Sequence, residues 1–286
     1  MYGFIKNSIK FASAGVLFIC LIGINAILVV LLYSRVISKE WENPSQDKEP
    51  LISLTNTPST SSIPFSVEKE IRGASGNKPV KASAMLDAPL VLQNPELPSG
   101  CELTALTMLL QYYGIKKNKM ELLPEMKTDP TPIQWGENGS ILYWGNPNLG
   151  YVGDITGKKK GFGIYSAGLF PLLNSYIPTA VDLTRSPFGV LESQIEQGFP
   201  VVVWTTITYQ VPTEKQWIIW DSPLGLIQTT FQEHSVLLVG YDEEHVYVND
   251  PLSGKKNVQV EKQQFIQTWE AMDKQALSYR ASVPAQ

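Results

Sequence analysis

The stretch LPSGCELTALTMLLQYYG, residues 97–114, decides the fold. Leu103, Leu106, Leu110 and Tyr113 recur along one helical face, and Gly114 supplies a stop. Ser99 and Glu102 stand in the S-x-x-E pattern of a capping box, which satisfies two free N–H groups at a helix start. Ser99 is therefore the predicted N-cap and Cys101 the second helical residue. Unpaired N–H groups and the positive dipole end favour an anion there, so the thiol is expected to ionise more readily than usual. The competing reading is a small buried hydrophobe, the role of most free cysteines.

Outward from this helix, further elements follow. Leu122 to Met126 suggests a second helix, GIYSAGLFPLLNSY (163–176) a third, and Val190 to Gln197 a fourth closed by Gly198. PVVVWTTITYQV (200–211) is β-branched and aromatic, as strands are. SVLLVGYDEEHVYVND (235–250) predicts two strands joined across Asp242 to His245. Helices first and strands later point to an α+β fold rather than an alternating parallel sheet.

The N-terminal part is of another kind. Phe11 to Tyr33 carries no charge over about 23 residues, enough to span a bilayer core of about 30 Å. A cleaved signal peptide would have a shorter apolar region ending in an A-x-A-like site. Neither feature is present, so an uncleaved transmembrane anchor is expected. Lysines and arginines flank both ends, so the charge rule does not orient it. The Ser/Thr/Pro-rich text up to residue 84 is too polar to order itself. The expected organisation is a tail at 1–10, an anchor at 11–33, a disordered linker at 34–84 and a domain at 85–286. The expected localisation is a cell membrane, crossed once, with the domain outside the cytoplasm.

A net charge of −4 gives no electrostatic footprint for nucleic acid. The two cysteines are Cys20, inside the apolar run, and Cys101, so no disulfide framework is expected. With two histidines and one available cysteine far apart in sequence, no metal-ligand spacing is present and no metal or other cofactor is expected.

A nucleophilic cysteine needs a base, and the base an orienting carboxylate or amide. His234 opens the strand SVLLVGY, where a structural histidine is the alternative; His245 falls in the predicted turn, which suits a solvated surface role. Asp250 follows His234 by sixteen residues and precedes Pro251, where turn chemistry is the alternative. A hairpin turning symmetrically on 242–245 sets Asp250 opposite Leu237, on the face away from His234, and gives that face to Asn249. A one-residue bulge reverses the assignment. Asn249 and Asp250 both remain candidates.

LQNPELPSGCELTALTMLLQYYG, NPNLGYVGDITGKKKGFGIYSAGLFPLL, GFPVVVWTT and EHSVLLVGYDEEHVYVNDPLSG together resemble the C39-like peptidase domain. This papain-like group is related to the bacteriocin-processing, double-glycine endopeptidases, and the resemblance covers roughly residues 86–280. It implies a helix carrying the nucleophile, packed on an antiparallel sheet that carries base and orienter. It implies Cys101 as nucleophile, His234 as general base and acid, and Asp250 as orienter. Gln93, somewhat farther from the cysteine than in the processing peptidases, is the implied oxyanion donor beside the Cys101 N–H. The chain has no GxxxxGK[ST] phosphate loop, so coupling to a transporter is not carried over.

The expected function is a membrane-anchored peptide or amide hydrolase acting through a thioester. Acyl transfer to an amine and a non-catalytic surface binding module are the alternatives. Trp135, Trp144, Trp204, Trp217 and Trp220 are candidates for a substrate groove, with the core as the favoured reading for Trp204 and as an open alternative for Trp217 and Trp220. The glycine-punctuated loop with Lys158 to Lys160 is expected to be flexible, a phosphate cradle being the weaker alternative.

Overall fold

The fold is built on a central strand that is buried along its whole length. The computed structural model describes residues 81–281, and these lie within one unit of the chain, Ser75–Gln286. The apolar run 11–33 and most of the 34–84 segment lie outside the described residues. Among the described residues no helix is long and apolar enough to cross a membrane.

In chain order the principal elements are β1 (Ala84–Met85), α1 (Cys101–Tyr113), α2 (Lys119–Leu122), α3 (Ser166–Tyr176), β2 (Ala180–Asp182) and α4 (Phe188–Glu196). Then come β3 (Val201–Thr206), β4 (Trp217–Trp220), β5 (Ile227–Thr230), β6 (Glu233–Tyr241), β7 (His245–Asp250), β8 (Lys255–Glu261), α5 (Lys262–Ala271) and β9 (Ala276–Tyr279). Short strands between Thr128 and Gly163 form a separate lobe of loops and ribbons.

The main sheet is antiparallel in the order β8-β7-β6-β3-β9-β2, with β1 added to β6. β6 is its centre, and all nine of its residues are buried. Helices on both faces cause this. Leu237 and Val239 join the cluster that holds Leu103, Leu106 and Leu110 of α1 and Leu169 and Leu173 of α3. Val236 and Leu238 join the opposite cluster, with Leu191 and Ile195 of α4 and Phe265 and Trp269 of α5. A strand covered on both faces reads as a continuous apolar run, and SVLLVGY is one. Gly240 is required where β1 crosses, because a Cβ there would lie 2.6 Å from Met85 Sδ and 2.9 Å from the Ala84 carbonyl.

Several expectations are corrected. The N-cap of α1 is Gly100, not Ser99, with no side-chain cap, so Cys101 is the first helical residue. The second helix starts earlier, at Lys119, where Asn118 and Glu121 form the capping box, and passes into a 3-10 turn at Leu123–Glu125. The strand from 200 ends at Thr206. His245 opens β7 instead of lying in the turn. β1, β2, β8 and β9 complete the sheet and α5 covers one of its faces, none of them anticipated.

Candidate active site

Cys101 is placed by the turn that leads into α1. Gly100 N–H donates to the Leu97 carbonyl, Ser99 N–H to the Ile155 carbonyl, and the Tyr151 hydroxyl to the Ser99 carbonyl at 2.7 Å. These bonds leave the sulfur near the start of β6, close to the Ser235 backbone N–H. The thiol in turn donates to Glu102 Oε2 at 3.4 Å. Among the described residues no hydrogen bond joins the sulfur to the His234 ring.

The expected easy ionisation of Cys101 is overturned. Burial pushes the thiol pKa well above its ordinary value, and the nearby Glu102 and Glu233 carboxyls push it further. The Ser235 N–H works the other way and is outweighed. A helix dipole contributes about 0.3–1 kcal/mol, which desolvation and adjacent carboxylates exceed. The resting sulfur is a thiol.

Glu102 turns inward instead of closing a capping box. Its Oε1 accepts from the Ile164 N–H at 2.8 Å. Burial raises its pKa to about 7, against the pull of its own and the Ile164 N–H groups. Glu233, from β6, points to the same place and is pushed well above the carboxylate range, first by burial and then by Glu102. Gly163 permits the convergence: a Cβ there would lie 2.2 Å from Glu102 Oε1 and 3.2 Å from Glu233 Oε2.

Strand alternation gives His234 the other face. Its register partner is Thr205, and its neighbours of like parity, Val236 and Leu238, belong to the α4/α5 side. His234 Nε2 lies 2.8 Å from Asp250 Oδ1, and both residues are buried. Asp250 Oδ1 also accepts from the Leu252 N–H at 2.9 Å and the Ser253 N–H at 3.3 Å, and Oδ2 from the Tyr209 hydroxyl at 3.1 Å. Burial alone would raise the Asp250 pKa. The His234 hydrogen bond and charge, with the loop N–H groups, hold it well below the ordinary carboxylate value.

A bulge decides between Asp250 and Asn249. Between Leu238 and Gly240 the β6–β7 register slips, so Val239 is the extra residue and Leu237 faces Asn249. Asp250 thereby shares the face of His234. Asn249 is fully used elsewhere: its Nδ2 donates to the Ala88 and Pro89 carbonyls, each at 3.0 Å, and its Oδ1 accepts from the Asn257 N–H at 3.0 Å.

Gln93 is buried next to this turn, its N–H donating to the Pro251 carbonyl at 2.9 Å. Its Nε2 donates to the Pro98 carbonyl at 2.7 Å, and its Oε1 has no partner. Of the tryptophans, Trp144, Trp204 and Trp220 are core residues, with Trp204 Nε1 donating to the Ile164 carbonyl at 3.0 Å. Trp135 is half exposed and lines a cavity of about 320 Å³ with Ile141, Lys160, Ile218, Ile219 and Phe231. Phe231 meets Phe162 edge-on at 5.8 Å, so this cavity adjoins the segments that supply Gly163 and Glu233.

Sequence reading missed three participants. Glu102 shares a helical face with Ala105, Leu106 and Leu109, which is the signal that it points inward. Glu233 has the parity of Ser235, Leu237 and Val239, which the strand's alternation shows once its start is known. Tyr209 carried no such signal. It has a left-handed backbone (φ 57°), and Gln264 Nε2 and Thr268 Oγ1 of α5 donate to its carbonyl at 2.8 and 3.0 Å.

Residues 85–277 match the model of the Peptidase_C39 like family. A Bacillus subtilis (strain 168) protein described as uncharacterized protein YvpB is 34% identical over 211 residues, covering 73% of this chain and 78% of that protein. The crystal structure of a candidate C39-like peptidase from Bacillus anthracis is similar with a TM-score of 0.64 and 38% identity, covering 71% of this chain and 99% of that one. The helix-borne cysteine, the antiparallel sheet with its histidine and aspartate, and these likenesses place the chain in the Peptidase_C39 like family.

Proposed function

We propose that this protein is a thiol-dependent peptide or amide hydrolase with Cys101 as nucleophile, His234 as base and acid, and Asp250 as orienter. The observation that carries the reading is the buried His234–Asp250 pair at 2.8 Å, on the strand end against which the Cys101 sulfur rests. Because Asp250 is held ionised, Nε2 of His234 carries the ring proton and Nδ1 keeps its lone pair. Nδ1 is thus the ring atom available to take a proton from the thiol.

The resting arrangement needs one adjustment. The sulfur must leave Glu102 and come within reach of the His234 ring, which strand alternation sets on the other side of the β6 end. Catalytic hydrogen bonds are often long or misaligned before substrate arrives. His234 Nδ1 then takes the thiol proton while sulfur attacks the carbonyl carbon. The negative oxygen is met by the Cys101 N–H, free at the first helical position. The Gln93 amide, whose Nε2 has a second hydrogen, is the other proposed donor. The imidazolium returns its proton to the leaving amine, and water resolves the thioester. The cavity around Trp135, Ile219 and Phe231 suits an apolar substrate side chain, with Lys160 beside it for an anionic group. Anchoring of the chain to a membrane through residues 11–33 is part of the same proposal.

The test is hydrolysis of a peptide library by the parent and by Cys101→Ala. The parent is expected to cleave at least one sequence and the variant none; equal cleavage by both refutes the thiol mechanism. A second reading, a non-catalytic surface module, is favoured by the protonated thiol bonded to Glu102. It predicts that no library peptide is cleaved although some are bound.

A further inference from the structure

The three groups that meet at the head of α1 form a second kind of site. Cys101 Sγ, a Glu102 carboxylate oxygen and a Glu233 carboxylate oxygen all lie within 4.8 Å of one another. Cys101, Glu102 and Glu233 are 8%, 1% and 8% exposed. We propose that Cys101, Glu102 and Glu233 bind a divalent cation of the zinc class, and that this cation reversibly blocks the thiol.

The distances fit. With Zn–S of about 2.3 Å and Zn–O of about 2.1 Å, a tetrahedral angle sets sulfur and oxygen about 3.6 Å apart. Sγ and Glu102 Oε2 are 3.4 Å apart. Glu233 is the independent witness: its Oε1 is buried without any hydrogen-bond partner. Among the described residues neither carboxylate is ion-paired with a lysine, arginine or histidine. Two buried acidic side chains beside a thiol face no cation, so ionisation is costly there, and a bound dication would offset the charge of the ionised ligands. Gly163, having no Cβ, lets both carboxyl groups approach the same point.

The donor set selects the metal. One thiolate and two carboxylates suit zinc or cobalt, whereas calcium needs six to eight oxygens and magnesium an octahedral oxygen shell. As the Zn–S and Zn–O bonds form, the S–H bond of Cys101 and the carboxyl O–H of Glu233 break, and both protons go to solvent. The sulfur electron pair is then shared with the metal and does not attack a carbonyl. Removal of the cation restores the thiol. Adjacent residues supply two ligands and the third comes from a distant strand, so no ligand spacing was visible in the sequence.

Cation binding stands independently of the hydrolase reading, because it is measured without substrate. The full-length chain carrying Cys20→Ser is stripped with chelator and titrated with cobalt(II). The expected result is one cobalt per chain with a near-ultraviolet thiolate-to-cobalt absorption, displaced by zinc. Glu233→Gln is expected to weaken binding at least tenfold with an unchanged circular dichroism spectrum. Cys101→Ser is expected to lose the absorption, and His245→Ala, which removes the surface His245–Asp242 pair, to keep it. One equivalent of zinc is expected to slow alkylation of Cys101 by iodoacetamide at least tenfold, read by peptide mass spectrometry and reversed by chelator. Absence of the cobalt absorption in the parent, or equal binding by Glu233→Gln, overturns the proposal.

Discussion

Replacing Asn249 with alanine and, separately, Asp250 with asparagine splits stability from chemistry at two adjacent residues. Asn249 is fully buried and makes three hydrogen bonds that no neighbour replaces. Each is worth about 0.5–1.5 kcal/mol net, and orphaned buried partners add to the cost, so Asn249→Ala is expected to lose about 2–4 kcal/mol. With a urea slope of about 2–3 kcal/mol per M for a domain of this size, the unfolding midpoint falls by about 1 M. Folded protein is expected to cleave peptide at nearly the parent rate, because Asn249 faces the strap at Ala88 and Pro89 and not the imidazole. Asp250→Asn is nearly isosteric and keeps its place in the turn. It loses the charge that holds the ring proton on Nε2 and stabilises the imidazolium, which in serine-type triads is worth about 10⁴ in rate. The assay is urea denaturation followed by tryptophan fluorescence, paired with cleavage of the best library peptide. A stable Asn249→Ala that cleaves nothing, beside an active Asp250→Asn, would refute the assignment of roles and the bulge behind it.

Four further outcomes are expected. Gly163→Ala drives a methyl group onto Glu102 Oε1, at 2.2 Å without relaxation, so the Ile164–Glu102 bond breaks and stability falls by about 2–4 kcal/mol in thermal unfolding. Trp204→Phe leaves the Ile164 carbonyl without its indole donor and costs about 1–3 kcal/mol by chemical denaturation. Asp250 has a depressed folded-state pKa, so the stability it contributes is present above its unfolded value of 3.8 and is lost as pH falls through the folded one. The parent's stability is therefore expected to drop more steeply than that of Asp250→Asn as pH falls below about 4, read by denaturation at a series of pH values. In the absence of added metal, iodoacetamide is expected to label Cys101 more slowly than free cysteine at neutral pH, because burial and two carboxyls hold the proton on sulfur.

The helix of Cys101 was legible because its signals are local. Leucines at helical spacing and the Gly114 stop are read within a few residues, and α1 runs as the pattern says. The cap was misread because Ser99 and Glu102 match the capping-box pattern equally well when the glutamate is drawn inward. Nothing local reveals that the Ile164 N–H and the thiol compete for that carboxylate. β8 was missed because only one of its residues is fully buried, and β9 because its ALSY run is short.

By itself the sequence determined that α1, α3, α4, β3 and the β6–β7 hairpin form, and that a cysteine, a histidine and an acid or amide stand in papain-like order. Such features follow from periodicity and from the chemistry of neighbouring residues. Only the tertiary structure decided between Asn249 and Asp250, since one extra residue, Val239, reverses which side chain meets the histidine. It also decided the state of the sulfur, since the two carboxylates that hold it protonated reach it from different elements. Side-chain direction in a sheet has a period of two, and burial is a property of the packed whole. The sequence names the groups, and packing alone sets which of them touch.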